Sequence, residues 1–398
     1  MPLGLYISVP FCRSKCTYCN FASGVFSATQ MGQYVERLAA DMRAMRALAA
    51  EHGAEIPEPA DSIYLGGGTP SLLPPDELKK LLFNVRQEFT VLSKAEITVE
   101  CAPGTLTDSI IQALVTRGVN RVSLGVQSFV DKEAASVARL HTREKTLQDI
   151  ERLKRAGISN INVDLIAGLP HQTRKSWNYS LDEAIGTGVP HVSVYMLEVD
   201  EDSRLGRELI AGGTKYHAHF VPEDDLTAEL YETACDRLNA AGIKQYEISN
   251  FAREGFESKH NLKYWTRQPY LGFGVDAHSM LPASAEAQAR GVESVRLATT
   301  DNYDQFLVSA QTIASEVTAG QALEEAFFLG LRLNRGVELE TLRERFGSAF
   351  GVYDAVINEL ISEGLLQREQ DVVRLTRRGR LLSNEVFQRF ILDREVMR

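Results

Sequence analysis

The sequence predicts an α/β protein built on a partial, open-sided (β/α)6 barrel, followed by an irregular linker and a small C-terminal α+β domain. Up to about Glu198, short apolar runs rich in β-branched residues alternate with longer amphipathic segments. This alternation is typical of parallel strands buried on both faces and of the helices that connect them. A closed barrel needs eight such units, and the pattern changes after the sixth. We therefore expect the barrel to remain open on one side.

The six units can be placed along the chain in order. Strands are predicted at Tyr6–Phe11, Ser62–Leu65, Glu96–Glu100, Arg121–Val126, Asn160–Ile166 and His191–Leu197. Helices are predicted at Met31–Ala49, Pro75–Glu88, Asp108–Thr116, Thr142–Ala156 and Thr173–Gly186. Crossovers between parallel strands are right-handed. Because the six strands are parallel, their carboxyl ends meet at one edge of the sheet, where folds of this kind hold their active sites.

The change of pattern divides the chain into three predicted domains. Residues 1–240 form the barrel core, 241–320 a linker or extension, and 321–398 a C-terminal domain. In the last segment, short helices precede two short strands near 365–375 and a final helix, an order that resembles a winged helix. Many winged helices bind DNA, but the acidic composition of this chain favours a domain that packs against the barrel.

Composition excludes several classes of protein. Of 398 residues, 44% are hydrophobic and 24% charged, which is globular composition rather than disordered or collagen-like. No apolar run reaches the roughly 18 residues of a membrane helix. Acidic residues outnumber basic ones by 53 to 43, which argues against binding to nucleic acid phosphates. The amino terminus lacks a basic region and resembles a buried strand, so we expect no signal or transit peptide and a cytoplasmic location.

The strongest chemical signal is a cysteine triplet directly after the first strand. Cys12, Cys16 and Cys19 form a C-x3-C-x2-C pattern, whereas Cys101 and Cys235 lie in other elements. Three thiolates on one short loop can bind three irons of a [4Fe–4S] cube and leave the fourth iron open. A zinc knuckle is the alternative, but zinc prefers four ligands that usually come in C-x2-C pairs.

A glycine-rich loop follows the second strand, with the sequence Tyr64-Leu-Gly66-Gly67-Gly68-Thr69-Pro70-Ser71. Glycines let the backbone approach a ligand closely, and exposed amides can bind a carboxylate. A tight turn without a ligand explains the same residues equally well. The loop is not a dinucleotide fingerprint, because Ser71 stands where a third glycine is needed.

The cysteine triplet, with the aromatic Tyr18 before its last member, resembles the radical S-adenosylmethionine (SAM) superfamily. The resemblance implies that SAM chelates the open iron and that a reduced cluster cleaves SAM to a 5′-deoxyadenosyl radical. In the same comparison, the glycine loop is similar to the GGE-like loop of the superfamily, which contacts the SAM amino group.

A narrower resemblance is to the oxygen-independent coproporphyrinogen III dehydrogenase (HemN-like) family. It rests on SVPFC, CxYC, YLGGGTPS, Gln127-Ser128, Arg139-Leu-His-Thr and Asp164-Leu-Ile-Ala-Gly-Leu-Pro. The resemblance implies SAM contacts at Tyr6, Tyr18, Gly67, Gly68, Thr69, Glu100, Gln127, Arg139 and Asp164. Two positions depart from the family pattern: Glu100-Cys-Ala-Pro103 stands where EANP is common, and Ala167 and His171 replace the more usual Tyr and Gly.

One motif is similar to the HemW-type heme chaperone subgroup of that family. His260-Asn261-Leu-Lys-Tyr264-Trp265 matches its H-N-x-x-Y-W pattern. An imidazole is a normal axial heme ligand, and Tyr264 and Trp265 could stack on a porphyrin face. The alternative is that His260 and Trp265 pack the linker against the barrel. We interpret the other histidines, including His217 and His219, as surface groups.

The resemblance therefore implies a heme chaperone with a [4Fe–4S] cluster and SAM, which carries heme as cargo to acceptor proteins, with respiratory enzymes as one candidate class. The alternative is coproporphyrinogen III oxidation in porphyrin biosynthesis. Against it, Phe21 stands where the authentic dehydrogenase has a further cysteine, and this chain begins at the first strand without an amino-terminal arm. A heme-opening methyltransferase and a structural iron–sulfur protein are further alternatives. The sequence is compatible with a monomer or a dimer, and with peripheral association with a membrane.

Overall fold

The computed structural model describes residues 1–308 and 312–391. The six predicted βα units are confirmed, and their strands pair in parallel in the order of the sequence. The strands are β1 Leu3–Val9, β2 Ala60–Gly67, β3 Val91–Cys101, β4 Arg121–Gln127, β5 Asn160–Ala167 and β6 His191–Met196. The small parts of the predicted linker and C-terminal domain at 309–311 and 392–398 lie outside the described residues.

The helices of these units cover the outer face of the sheet. They are α1 Ala28–Glu51, α2 Pro75–Glu88, α3 Asp108–Thr116, α4 Asp131–Ser136, α5 Arg143–Arg155 and α6 Arg174–Gly186. Ser27, Thr107, Thr142 and Thr173 accept a backbone N–H of the helix that each precedes. Such side chains satisfy donors that the first turn leaves unpaired, which explains why the helix starts were readable in the sequence.

Residues 241–320 are more regular than the sequence suggests. They contribute β7 Lys244–Gln245, β8 Asn250–Ala252, β9 Tyr270–Phe273, β10 His278–Pro282, β11 Val292–Thr299 and β12 Thr312–Thr318. These strands extend the barrel sheet at both edges, because β9 pairs with β1 and β8 with β6. Most are too short for an alternation pattern to be recognised. In β9, a Cβ on Gly272 would lie 2.2 Å from the His278 carbonyl oxygen, so the contact with β10 needs glycine there.

Further helices connect these strands and build the C-terminal domain. They are α7 Arg204–Ala211, α8 Asp224–Ala240, α9 Lys259–Trp265, α10 Ala285–Ala289, α11 Tyr303–Val308, α12 Ala319–Gly330, α13 Leu339–Phe346, α14 Tyr353–Ser362, α15 Arg377–Leu381 and α16 Ser383–Gln388. The C-terminal strands β13 Val337–Glu338, β14 Leu366–Glu369 and β15 Val372–Leu375 form a separate antiparallel sheet. Its core includes Phe327, Tyr353 and Phe390. No helix in the described part of the chain is long and apolar enough to cross a membrane.

The C-terminal domain is attached to the barrel extension through Arg332. Its guanidinium lies 4.2 Å from the centre of the Trp265 ring and 3.8 Å from a carboxylate oxygen of the buried Glu247. The backbone N–H of Ile248 donates to the Arg332 carbonyl at 3.1 Å. Burial raises the pKa of Glu247, and the arginine opposes that rise. Arg332 therefore compensates a buried carboxyl at the contact between the two parts.

We expect Arg332→Ala to lower the free energy of unfolding by roughly 2–4 kcal/mol, because it leaves a buried carboxyl without its cation. Arg377→Ala is the matched control. Arg377 joins the C-terminal domain to α8 through Glu232 and Asp236 on the exposed surface, where such pairs contribute about 0–1 kcal/mol. Urea unfolding of both variants measures the difference. Equal losses of unfolding free energy in the two variants would show that the Arg332–Glu247 contact contributes no more than an exposed ion pair.

Candidate functional site

The cysteine loop leaves the carboxyl end of β1 and is held by the glycine loop after β2. The backbone N–H groups of Gly68 and Thr69 donate to the carbonyls of Val9 and Phe11 at 2.9 and 2.7 Å. The Cys12 sulfur lies 4.0 Å from the Thr69 hydroxyl. The two loops predicted to carry the cofactors are therefore bonded to each other.

Cys12, Cys16 and Cys19 are partly buried free thiols on this loop, and burial raises the pKa of Cys12 and Cys19. Across residues 1–308 and 312–391, no three His, Cys, Asp or Glu side chains are arranged around a single metal ion. A [4Fe–4S] cube instead places each of three thiolates on a different iron. Three cysteines within the span of one loop fit that requirement.

Glycine is required at position 68 by the packing of the two loops. A Cβ there would lie 2.8 Å from the carbonyl oxygens of Phe11 and Val9. Gly67 adopts a φ of +98°, which residues other than glycine rarely adopt. Because the amides of Gly68 and Thr69 already bond to the cysteine loop, this part of the glycine loop positions the cysteines rather than offering free donors to a ligand.

Three predicted residues, Tyr6, Glu100 and Asp164, lie on the inner face of the barrel sheet. The Tyr64 hydroxyl donates to a Glu100 carboxylate oxygen at 2.8 Å, and the Tyr6 and Tyr64 ring centres are 6.2 Å apart. Burial raises the pKa of Glu100 to about 7, and the Asp164 carboxylate contributes to the rise. Glu100 can therefore hold or release a proton near neutral pH.

Asp164 is held by polar neighbours on its own strand and on the adjacent strand β4. Its two carboxylate oxygens accept from Ser123 Oγ at 3.2 Å and from Asn162 Nδ2 at 2.7 Å. Burial raises the pKa of Asp164 as well. Two carboxyl groups with raised pKa values, on β3 and β5 to either side of β4, are typical of a functional site rather than of a structural ion pair.

Gln127 and Arg139 have polar atoms without a partner. Within the described residues, Gln127 Oε1 and Arg139 Nε are buried and unbonded. Gln127 has a φ of +68°, and a Cβ on Gly125 would lie 2.7 Å from Arg139 Nη2. Buried polar atoms without partners cost free energy. They fit a site that is completed by a polar ligand, and the charged methionyl end of SAM is such a ligand.

A cavity of about 300 Å³ adjoins Arg139. Its lining includes Arg13, Cys16, Thr69, Arg139 and Lys145. It connects the cysteine loop, the glycine loop and Arg139, which is predicted to contact SAM. Tyr18 lies on the same side, packed against Val137, Ile166 and Leu169. The structure thus brings the cysteine loop, the glycine loop and Arg139 together at the carboxyl edge of the sheet, whereas the Tyr6 ring lies 6.3 Å from that of His260.

The His260 motif lies at the opposite, amino end of the barrel. His260 is buried, with Nδ1 3.1 Å from Ser62 Oγ and Nε2 2.8 Å from the Tyr264 hydroxyl. Burial lowers its pKa to about 3. The first backbone N–H groups of α9 donate to the Glu96 carboxylate at 3.2 Å. These contacts are those of a helix that closes the barrel floor, and heme ligation by His260 would require one imidazole bond to open.

The other two motif residues also have neighbours from the protein. The Tyr264 ring packs edge-on against Tyr270, with 4.6 Å between ring centres, and Trp265 lies under Arg332. Trp265 Nε1 is buried without a partner among the described residues. The role of the three residues in heme binding stays a prediction.

Sequence reasoning missed a group of histidines at the carboxyl edge. His171 follows β5, and its backbone N–H donates to the Phe220 carbonyl at 2.9 Å. His171 Nε2 then lies 3.4 Å from His217 Nδ1. The two are far apart in sequence and lie in different loops, so no local pattern could have paired them.

Two family models match the chain. Residues 6–184 match the radical SAM superfamily, and residues 317–382 match the HemN C-terminal domain. Together with the βα barrel and the cysteine loop, these matches define a radical SAM protein with a HemN-type C-terminal domain. Membership of that superfamily implies a [4Fe–4S] cluster and SAM.

Similarity to individual proteins identifies the family within the radical SAM superfamily. "Heme chaperone HemW" of Lactococcus lactis subsp. lactis (strain IL1403) is 34% identical, over 98% of this chain and 98% of the relative. The Bacillus subtilis (strain 168) protein of that name is 34% identical, over 97% and 98%. The chain belongs to the HemW family. The solved coproporphyrinogen III oxidase (HemN) of Escherichia coli shares its fold, with a TM-score of 0.80 at 21% identity, over 98% of this chain and 90% of that one.

We expect Cys16→Ala to prevent stable cluster assembly, because only two of the three thiolates that bind the cube remain. Cys101→Ala and Cys235→Ala are matched controls, since neither cysteine lies on the loop. Iron and sulfide analysis after anaerobic reconstitution compares the three variants. Full iron content in the Cys16 variant would contradict the assignment of the loop.

We expect Glu100 to make the cofactor-free protein less stable as pH rises. The pKa of Glu100 is raised from 4.5 to about 7, so its protonated form favours the folded state. That contribution is full below pH 4.5 and is lost as pH rises through about 7. Relative to Glu100→Gln, the wild type should lose about 1–3 kcal/mol of unfolding free energy over this window.

Denaturant unfolding at several pH values tests this expectation. The surface variant Glu254→Gln serves as the control and should keep the pH dependence of the wild type. If Glu100→Gln also keeps it, Glu100 does not titrate in this window.

Proposed function

We propose that this protein is a heme chaperone that binds heme and transfers it to acceptor proteins. The observation that carries the proposal is the similarity to two proteins named heme chaperone HemW, at 34% identity over nearly the full length of both partners. The acceptors are heme-binding proteins, with respiratory enzymes as a candidate class. In this proposal the protein is cytoplasmic. Its chain is divided into a core at 1–240, an extension at 241–320 and a C-terminal domain at 321–398.

Within this proposal, Cys12, Cys16 and Cys19 hold the [4Fe–4S] cluster. The open iron would take the methionyl end of SAM, and the reduced cluster supplies one-electron chemistry when both are bound. Arg139 binds the SAM carboxylate, which would give its unpartnered Nε an acceptor. The remaining SAM contacts are Tyr6, Tyr18, Gly67, Gly68, Thr69, Glu100, Gln127 and Asp164.

The side chains around Arg139 have separate tasks in this site. Gln127 offers an unpartnered amide oxygen to a donor on SAM. Glu100 and Asp164 face the barrel interior and accept from an amino group or from ribose hydroxyls. Gly67, Gly68 and Thr69 act mainly by holding the cysteine loop in place, because two of their amides bond to it.

His260, Tyr264 and Trp265 remain proposed heme contacts. His260 has no free nitrogen for the heme iron in this structure, since both imidazole nitrogens already have partners. Heme contact at this end would therefore require α9 to move away from Ser62. The motif supports the chaperone proposal through its resemblance rather than through an accessible ligand.

We expect the reconstituted protein to bind heme and to form no protoporphyrinogen from coproporphyrinogen III when SAM and a reductant are supplied. A carrier needs an iron ligand and an apolar face, whereas decarboxylation also needs a radical aimed at a propionate side chain. Absorbance titration with hemin and product analysis on one sample test both statements. Steady conversion of coproporphyrinogen III would replace the chaperone proposal with the dehydrogenase alternative.

A further inference from the structure

A cluster of aromatic and imidazole rings lies at the carboxyl edge of the sheet, outside the predicted sites. His171 and His219 each lie 4.0 Å from Phe220 by ring centres, and His217 lies 6.2 Å away. His171 Nε2 and His217 Nδ1 are 3.4 Å apart. The Phe220 side chain is 46% exposed. We call His171, His217, His219 and Phe220 the histidine patch.

We propose that the histidine patch is a heme-binding site in which His171 or His217 ligates the iron and Phe220 packs against the porphyrin face. The inference rests on the proposed function and deepens it by naming the iron ligand. It differs from the expectation drawn from the motif, which places that ligand at His260.

The backbone of the pair is strained. His171 and His217 have φ values of +69° and +64°, a left-handed conformation that glycine adopts freely and other residues adopt rarely. Such conformations persist only where the surrounding structure imposes them, and they concentrate at functional sites. Both residues of this conformation carry an imidazole, and the two imidazoles, from separate loops, lie within 3.4 Å of each other.

The surrounding chain holds the patch in place. A Glu208 carboxylate oxygen on α7 accepts from the backbone N–H of Ala218 at 3.3 Å, and Tyr216 N–H donates to the same carboxylate. The His171 N–H bonds to the Phe220 carbonyl. The patch is therefore built from the loop after β5 and the segment after α7, both fixed to the barrel.

The chemistry of the patch suits heme. An iron ligand must be a neutral imidazole with a free nitrogen. Burial lowers the pKa of His171, and Lys132 lowers it further, which favours the neutral imidazole. The only side-chain hydrogen bond of His171 among the described residues is the one to His217.

Apolar and cationic groups near the patch complement the rest of the heme molecule. On α7, which holds the patch segment, Leu209 and Ile210 are 53% and 71% exposed. Lys132 lies within electrostatic range of His171, and Lys215 precedes His217 by two residues. Exposed apolar surface suits the porphyrin face, and the cations suit the two propionates of heme.

Accessibility distinguishes the patch from the motif. A carrier must accept and release its cargo, so its ligand must be reachable without unfolding a core element. His260 is buried with both nitrogens bonded, whereas His171 and His217 are partly exposed and His219 is exposed. The patch offers heme an entry site that requires no change in the barrel.

The proposal is tested with ferric heme and the reconstituted full chain. The variants are His171→Gly, His217→Gly and a combined variant that carries both changes and His219→Ala. Glycine adopts positive φ without strain and should preserve the melting temperature, and His219→Ala removes the third imidazole of the patch. His278→Ala, which removes a side chain that is 63% exposed elsewhere, is the matched control. Absorbance titration gives affinity, and pulsed EPR of the bound ferric heme detects the imidazole nitrogen.

Each single variant should bind heme within about threefold of the wild type, because the neighbouring imidazole can replace the lost one. The combined variant should lose the imidazole signal and bind at least about tenfold more weakly, while His278→Ala matches the wild type. If wild type and combined variant bind equally with the same signal, the patch is not the site, although heme binding itself stands. If the wild type binds no heme, the proposed function and this inference both fail.

Discussion

The contact between the glycine loop and the chain leaving β1 determines the rest of the site. Two amides of the glycine loop bond to carbonyls just before the first cysteine, and no side chain fits at Gly68. The cysteines therefore occupy a fixed position relative to the carboxyl ends of β1 and β2. Because parallel strands end at one edge, the same constraint places them beside the residues that β3, β4 and β5 contribute.

That edge is assembled at a cost in stability. Burial raises the pKa of both Glu100 and Asp164, and buried atoms of Gln127 and Arg139 lack partners among the described residues. A chain selected only for stability would replace such groups with apolar ones or pair them. Their retention together at one edge is what a ligand-binding site requires, since a polar ligand compensates them when it binds.

Much of this arrangement could be predicted from the sequence. The strands of the barrel are long, apolar runs with capped helices between them, and α2 and α3 begin and end at the predicted residues. The cysteine and glycine loops follow strands, so their meeting at one edge follows from parallel topology. The extension strands could not be found, because a pair such as Lys244–Gln245 is stabilised by its neighbours in the sheet rather than by its own pattern.

The histidine patch was missed for a related reason. His171 and His217 meet only because the loop after β5 and the segment after α7 are brought together by tertiary contacts. Positive φ values at non-glycine residues are also invisible in a sequence. The burial of His260 was equally unpredictable, since its motif reads the same whether the imidazole faces a ligand or Ser62.

The two ends of the barrel are connected through Tyr64. Its ring lies 5.4 Å from that of His260 at the floor, and its hydroxyl bonds to Glu100 towards the carboxyl edge. A substitution at His260 that lets Tyr64 shift therefore changes the environment of a carboxyl whose pKa is near neutral. The Tyr6 ring, a proposed SAM contact, lies 6.3 Å from that of His260 as well. Loss of heme or SAM binding in a His260 variant would thus not identify His260 as a ligand, because the same change reaches the proposed SAM site through these tyrosines. Only a measurement at the iron itself separates ligation from this indirect effect.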